Sequence, residues 1–573
     1  MPLEQLPALR QIRPNPVGGT LKHDLEHVLS LRRDTPVVTV LDRRGRATTL
    51  TGKDLQDRVD QTLQLWRNHI GPGPHVLVAA LPAGEDFVVS LVASLIGEGT
   101  IVPVALPRKT DPPGRLENIA RTCGATAVLC TSHSRSAVEA QLADHSGLTA
   151  CSVLAIDAPE VARTTTAYIP GAPAYPVIQH TSGSTSRPKA VPISAQQIRE
   201  NCSLIQSLWG MGSDTVLVNW LPHYHDMGLM GCIIYPLLSA AHSVQMSPFD
   251  MIRRPASWLE AISTHRGTLS GGPTFAFMEC LERISDAEAR DLDLSSWTRA
   301  FCGAEPIPSG LLDRFHDRFA ANGLAREAVF ACYGMAECTL FAAGEPGLRP
   351  ANDDIPAPFK NVEGCLLSAT TRALIRIADP ETGGERSEGE TGEVWVRGAS
   401  LSESYLGEDD SAQNEFFTDA DGTTWLRTGD LGGIHNGRLY VTGRTKDIII
   451  VRGRNVASAE VEWLAAREHR DLNPSAAAAF ALGPDENGDA DLFIELRTGA
   501  APMENPEAVA ARIRKSLAAS SGVQLETISV LRRGTLPRTS SGKIRRQQVM
   551  KDRESLLREA VFFDRAAFER VAP

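Results

Sequence analysis

The run His180-Thr-Ser-Gly-Ser-Thr-Ser-Arg-Pro-Lys-Ala190 sits between a short apolar stretch, Pro176 to Gln179, and a helix start. Small and hydroxylated residues let the backbone approach a polyphosphate closely and turn N–H groups and hydroxyls toward it. Thr181, Ser182, Gly183, Ser184 and Thr185 are candidates for that cradle, and Lys189 adds a mobile positive charge. No Gly-Lys-Ser/Thr closes the run, so it is not a Walker loop. A Ser/Thr/Gly linker fits the same residues.

Five other stretches carry chemistry-bearing side chains. Trp220-Leu-Pro-His-Tyr-His-Asp-Met-Gly-Leu229 brings His223, His225 and Asp226 together. Without a third ligand cluster it suits a metal poorly, and an orienting histidine or a structural turn reads more simply. Phe301-Cys-Gly-Ala-Glu-Pro306 runs from a strand into a Gly turn, where open α/β sheets present backbone to ligands. Tyr333-Gly-Met-Ala-Glu337 joins an aromatic face for a base, a Gly for close approach and a carboxylate suited to a hard cation. Arg427-Thr-Gly-Asp430 puts a carboxylate after a tight turn, able to accept from two ribose hydroxyls. Leu536-Pro-Arg-Thr-Ser-Ser-Gly-Lys-Ile-Arg-Arg546 sets Lys543 on a Ser/Gly loop. Each has a bland reading as a turn, a core aromatic or a solvated loop.

The elements that must position these groups alternate. Val76 to Ala80 and Ile101 to Val104 read as strands around an apolar helix, Phe87 to Ile96, and Ala127 to Cys130 follows a helical stretch. The alternation resumes at Thr215 to Asn219, Met230 to Leu238 and Ala300 to Cys302. That rhythm predicts βαβ units with parallel sheets. Ala373 to Ala378 and Gly392 to Arg397 predict a small β-subdomain, and Ser194 with Gln197 a capping box. The predicted fold is α/β: an N-terminal domain over 1–443, made of two doubly wound α/β subdomains and a β-subdomain. Beyond a boundary around Gly443 to Asp447, residues 444–573 are of mixed α/β character, long enough for a separate small domain, and carry Lys543.

Composition narrows the partners. A net charge of −11 argues against nucleic acid, whose binding favours a basic surface. Ten scattered cysteines without a Cys-x-x-Cys pair indicate neither a zinc site nor a disulfide framework, and imply reduced thiols in a cytoplasm. The N-terminal residues lack the pattern of a signal peptide, and no apolar run approaches the ~20 residues that span a bilayer. A cytoplasmic location without integral membrane association is the resulting expectation.

Taken together, the six motifs in their order resemble the adenylate-forming superfamily of acyl-CoA synthetases, luciferases and peptide-synthetase adenylation domains, over roughly residues 25 to 550. The nearer likeness is to fatty acyl-AMP ligases, through Asn219-Trp-Leu-Pro-His-Tyr-His-Asp-Met-Gly228, Gly271-Gly-Pro-Thr-Phe-Ala-Phe277, Leu292-Asp-Leu-Ser-Ser-Trp297, Gly303-Ala-Glu-Pro306 and Ala336-Glu337.

The resemblance implies ATP and Mg²⁺ as cofactors and a carboxylic acid, medium or long and aliphatic, as substrate. It implies that Thr181 to Lys189 hold the β- and γ-phosphates. Gly303, Ala304, Glu305 and Pro306 would line the nucleotide pocket, together with Tyr333, Gly334, Met335 and Ala336. Tyr333 would stack on adenine, Asp430 would bind ribose, and Arg444 would contact ribose or phosphate. Glu337 and Thr181 would hold the metal. Lys446 would be the hinge of a small, mobile α+β C-terminal domain, and Lys543, with His225, would be catalytic. His223, Met227, Gly271, Gly272, Thr274 and Phe275 would line the acyl pocket, with Gly271 and Gly272 bounding a tunnel. The implied acceptor is an acyl carrier protein.

The segment from Glu337 to Gly392 is shorter than in fatty acyl-AMP ligases, where an insertion there accompanies refusal of CoA, and Asn455-Val-Ala-Ser458 lacks their aromatic-Pro pair. An acyl-CoA or aryl-CoA ligase, or an enzyme acylating an amine or another small nucleophile, therefore stays open. A non-catalytic binding protein on the same scaffold is the reading from a different class. The sequence leaves the oligomeric state open.

Overall fold

Strand-forming runs and apolar helices alternate through the first half of the chain and build two largely parallel sheets. The computed structural model describes residues 20–108, 111–142, 151–158, 175–181, 189–347, 355–407, 415–451, 454–483, 489–497, 499, 503–539 and 542–566. One sheet has six strands, in the order Ser152–Ala155, Ala127–Cys130, Val76–Ala79, Thr100–Pro103, Val177–His180 and Ala190–Ile193. All its neighbours pair in parallel except the last two, which form an antiparallel pair from His180↔Ala190 to Val177↔Ile193. That pair brings the two ends of the Ser/Thr/Gly run together. Thr181 N–H donates to the Lys189 carbonyl at 2.9 Å.

The second sheet has seven strands, ordered Val329–Ala331, Arg299–Gly303, Leu269–Pro273, Val216–Asn219, His242–Gln245, Pro36–Leu41 and Ala47–Thr51. The helix Glu85–Ile96, buried from Phe87 onward, packs inside one continuous apolar core that also takes residues from this second sheet. A helix apolar on every face suits a fully enclosed position of this kind. The expected capping box is present: Ser194 N–H donates to Gln197 Oε1 at 2.8 Å, and Gln197 N–H to Ser194 Oγ at 3.2 Å.

The apolar run after His225 differs from the expected plain helix. Met227–Ile234 is a π-helix that passes into a short α-helix, Tyr235–Leu238, with Pro236 in its first turn. Wider turns of this type concentrate at functional sites, and this one begins directly after the two histidines. Gly228 makes the turn feasible, because a Cβ there would lie 2.3 Å from the Pro222 carbonyl oxygen.

Beyond residue 360 the chain folds as an antiparallel sheet ordered Gly364–Leu366, Arg438–Arg444, Thr424–His435, Gly392–Val396 and Ile375–Ala378, with Phe416–Thr418 alongside Thr424–His435. The strands after residue 447 form their own core, from Ile449 to Val530, around the sheet Leu472–Ala481, Asp489–Leu496, Gln524–Leu531 and Phe562–Arg565. Ala477 to Ala479 are buried in its first strand, where small side chains allow close packing. Among the described residues, no helix is long and apolar enough to cross a membrane.

One buried polar residue ties the first large lobe together. Asn201, fully buried, donates to the carbonyls of Cys338 and Phe341 and to Ser400 Oγ at 3.2, 2.8 and 3.1 Å. Its Oδ1 accepts from Phe341 N–H and Tyr235 O–H, each at 3.0 Å. Removing the amide strands several buried partners at once, each costing about 1–3 kcal/mol. Asn201→Leu is expected to lower the stability of this lobe by roughly 3–5 kcal/mol in urea denaturation. A loss below about 1 kcal/mol would show that the five contacts contribute little.

Candidate functional site

A cavity of 1520 Å³ lies where the sheets, the antiparallel subdomain and the last lobe meet. The described candidates Thr181, Lys189, His223, His225, Met227, Thr274, Phe275, Ala304, Glu305, Pro306, Tyr333, Gly334, Met335, Ala336, Glu337, Asp430, Arg444, Lys446 and Lys543 all line it. Ser182, Gly183, Ser184 and Thr185 fall outside the described residues.

Three glycines do not line the cavity. A Cβ on Gly303 would lie 2.6 Å from the Cys332 carbonyl oxygen, so this glycine serves close packing against the chain beyond the neighbouring strand. Gly271 and Gly272 do not bound a tunnel. At Gly271 the space of a side chain is filled by the Phe301 carbonyl and ring, 2.0 and 2.5 Å from a Cβ. At Gly272 it is filled by the Trp220 indole, 2.6 Å away. Trp220 in turn meets Phe275 edge-on, with ring centroids 5.8 Å apart. The apolar wall is therefore aromatic, and it continues through Met278 to Phe249 and Ile252, which are exposed at the surface.

Asp430 is the best-built acceptor. Thr428 Oγ donates to the Val394 carbonyl at 2.6 Å and accepts from Asp430 N–H at 3.0 Å. Buried Glu393 accepts from Gly429 N–H at 3.1 Å, which completes the turn. The carboxylate so placed accepts from Tyr333 O–H at 2.7 Å and from Arg444 Nε at 2.9 Å. The Asp430 charge raises the Arg444 pKa, while burial, helped by Asp430, raises that of Tyr333. Two motifs 97 positions apart are thus in direct contact. Gly334 follows Tyr333 of necessity, since a Cβ there would lie 1.8 Å from the Leu340 carbonyl oxygen.

Lys543 reaches the cavity from the last lobe. Its loop is closed by Arg545 N–H to the Pro537 carbonyl at 2.9 Å and Thr539 N–H to the Lys543 carbonyl at 2.8 Å. Arg538 reaches buried Glu495 at 3.3 Å, and Arg546 grips Glu462 through two bonds of 2.7 and 2.6 Å. Lys543 Nζ donates to the Ala304 carbonyl at 2.7 Å. Ala304 has φ of 72°, an uncommon left-handed conformation for a residue with a side chain. The crowded cleft pushes the Lys543 pKa down, with Glu305 opposing; burial pushes that of Glu305 up, with Lys543 opposing.

The histidines are neutral. Burial lowers His223 to about 4, and burial with the nearby Lys543 charge lowers His225 to about 3. His225 offers no positive charge at neutral pH, and its buried Nε2 has no hydrogen-bond partner among the described residues. Lys446 lies in the turn 445–447 between the two cores, where Asp447 N–H donates to the Arg444 carbonyl at 3.0 Å.

Sequence reasoning missed Tyr405 and Glu415. Tyr405 O–H lies 3.0 Å from Glu337 Oε1 and 2.8 Å from Glu415 Oε2, and Glu415 Oε1 pairs with Lys189 Nζ at 2.5 Å. Neither belongs to a patterned stretch, so no sequence signal marks them. Glu337 is a hard oxygen donor on the cavity wall, and burial raises its pKa against the opposing Tyr405 hydroxyl and Arg444 charge.

Comparison with known proteins gives a consistent picture. The model of the "AMP-binding enzyme" family matches residues 25–406. The medium-chain-fatty-acid acyl-carrier-protein ligase TtuA of Teredinibacter turnerae is 34% identical over 397 residues, 64% of this chain and 61% of that protein. This chain therefore aligns with less than two thirds of the length of TtuA. The long-chain-fatty-acid AMP ligase FadD26 of Mycobacterium marinum is 30% identical over 541 residues, 88% of this chain and 91% of its own. A solved structure from work on fatty acyl-adenylate ligases of E. coli and L. pneumophila superposes with TM-score 0.78 at 27% identity, covering 94% of this chain and 98% of that one.

The neutral His223 makes a pH prediction. Its folded value of about 4 lies below the ordinary 6.5, so its contribution is intact above pH 6.5 and is lost as pH falls toward 4. His223→Phe keeps a ring against Phe87, whose centroid is 4.0 Å away, and removes that dependence. Between pH 7 and pH 5 the variant should gain roughly 1–2 kcal/mol relative to wild type in urea unfolding. A difference that does not change with pH would refute the assignment.

Proposed function

The chain belongs to the AMP-binding enzyme family, and from that premise we propose that it activates a fatty acid with ATP and passes the acyl group to the thiol of an acyl carrier protein. The observation that carries this reading is Lys543 at the Ala304 carbonyl, in one cavity with Asp430, Tyr333 and Glu337. In the first step a carboxylate oxygen attacks the α-phosphorus, the bond to the β-phosphate bridging oxygen breaks, and pyrophosphate leaves. In the second, a thiol attacks the acyl carbon and AMP leaves.

Two anions must meet in that first step, so positive charge has to stand where the negative charge accumulates. Lys543 supplies it at the carboxylate and α-phosphate, in a cleft that excludes part of the solvent and so strengthens the interaction. Asp430 accepts from the ribose, Tyr333 faces the adenine, Arg444 supports both, and Lys189 with Thr181 takes the β- and γ-phosphates. The donor set suits Mg²⁺, which favours one or two oxygen side chains plus substrate phosphates. Glu337 and Thr181 would hold it, and the ion would neutralise phosphate charge. His225 and the aromatic wall of Trp220 and Phe275 flank the acid. The domain boundary is placed at 443/444, with Lys446 as the hinge that lets the last lobe turn between the two steps.

The relatives' names favour a fatty acid and a carrier protein, and the long apolar wall running to Phe249 and Ile252 accommodates an alkyl chain. ATP–pyrophosphate exchange should depend on a medium or long fatty acid, and acylation should require holo carrier protein rather than free CoA. No exchange across a broad acid panel would sink the reading, while thioester formed with free CoA would move it to an acyl-CoA ligase. Lys543→Ala is expected to lower exchange by about 10²-fold or more, as loss of a preorganised charge does, with ATP binding retained. An unchanged exchange rate would remove Lys543 from catalysis.

A further inference from the structure

The contact between Lys189 and Glu415 joins residues 226 positions apart at the entrance to the phosphate end of the cavity. Both backbones are fixed close by. Lys189 N–H donates to Thr181 Oγ at 3.2 Å, and Leu406 N–H donates to the carbonyl of Ala190, the next residue, at 2.9 Å. Ser402 Oγ donates to the Pro192 carbonyl at 3.0 Å, and Ser402 N–H to the Glu337 carbonyl at 2.7 Å. On the other side, Arg427 N–H donates to the Glu415 carbonyl at 2.8 Å. The two side chains meet between these anchored segments, with Lys189 23% and Glu415 36% exposed. The Lys189 ammonium also lies 4.3 Å from the centre of the Tyr405 ring, and Tyr405 is buried.

We propose that Glu415 is a positioning residue that stands in for polyphosphate, holding the Lys189 ammonium in place until the β- and γ-phosphates of ATP displace it. The proposal rests on the ATP-binding reading above. Lysine carries a compact charge on a flexible stem, so it can change partner without movement of the backbone. A polyphosphate presents several charged oxygens against the single carboxylate, and so wins the exchange. Glu415 is not left bare afterwards, because its other oxygen keeps the Tyr405 hydroxyl at 2.8 Å. The contact therefore holds Lys189 ready while setting a threshold that only a ligand with phosphates beyond the first crosses. ATP and pyrophosphate must break it, whereas AMP does not reach Lys189.

Calorimetric titration of the full chain, without fatty acid, tests this with ATP, inorganic pyrophosphate and AMP as the probes. Glu415→Gln removes the competing charge and keeps the shape. It should tighten ATP and pyrophosphate about two- to fivefold, the scale of a partly exposed ion pair, and leave AMP binding unchanged. Glu415→Ala should act in the same direction. Neither change should tighten ATP in a Lys189→Met background, because the partner is gone. Weaker or unchanged ATP binding in both Glu415 variants would overturn the proposal, as would tightening that survives Lys189→Met or extends equally to AMP. Wild type that fails to bind ATP at all would instead remove the reading beneath it.

Discussion

One hydrogen bond, 2.7 Å from Lys543 Nζ to the Ala304 carbonyl, spans the cleft between the two cores, and the proposed reaction depends on it. Positive charge for joining two anions cannot be stored permanently in a closed pocket without a partner, because burial of a lone ammonium is costly. Here the Lys543 charge comes in from a different core than Asp430, Tyr333 and Glu337 and meets them in one cavity. The loop carrying Lys543 is stiffened by Arg538 on Glu495 and Arg546 on Glu462, and the receiving carbonyl is presented by the left-handed backbone of Ala304. Sites held by both secondary structure and supporting polar contacts keep their geometry better than sites on free loops.

The facing wall of the cavity is organised by the opposite sign. Asp430 draws in Tyr333 and Arg444, while Glu337 shares the Tyr405 hydroxyl with Glu415. Around these charges stand groups that burial keeps neutral, His223 and His225, so the histidines add no fixed positive charge to the cavity. The cavity thus grades from a charged end at Lys189, Asp430 and Lys543 to an aromatic end at Trp220 and Phe275. That gradient suits a ligand that is anionic at one end and apolar at the other.

Much of this was legible in the sequence because it is local. The helix around Phe87 follows from unbroken apolarity, the cap from Ser194 and Gln197, and the β-subdomain from strands around Ala373 and Gly392. The six motif stretches also converge on one cavity among the described residues. What escaped is non-local. Gly271 and Gly272 were expected to leave room for a ligand, yet Phe301 and Trp220 take up that room. An absent side chain serves close packing and ligand access equally well, and spacing does not distinguish them. Tyr405 and Glu415 stand outside any periodic pattern, and only the chain's return to the strand after Lys189 reveals their purpose. The π-helix after Asp226 escaped for a related reason, since an apolar run does not encode the width of its turns.

In the proposed reaction an acid's carboxylate attacks the α-phosphorus of ATP within this cavity, so one oxygen atom passes from acid to nucleotide. The most direct test follows oxygen. A fatty acid labelled with ¹⁸O in its carboxylate is turned over once with ATP and a thiol acceptor, and the nucleotide product is weighed by mass spectrometry. AMP should carry one ¹⁸O atom, because the bridging oxygen of the acyl-adenylate leaves with the phosphate. Unlabelled AMP, or ADP with the label in inorganic phosphate, would contradict it.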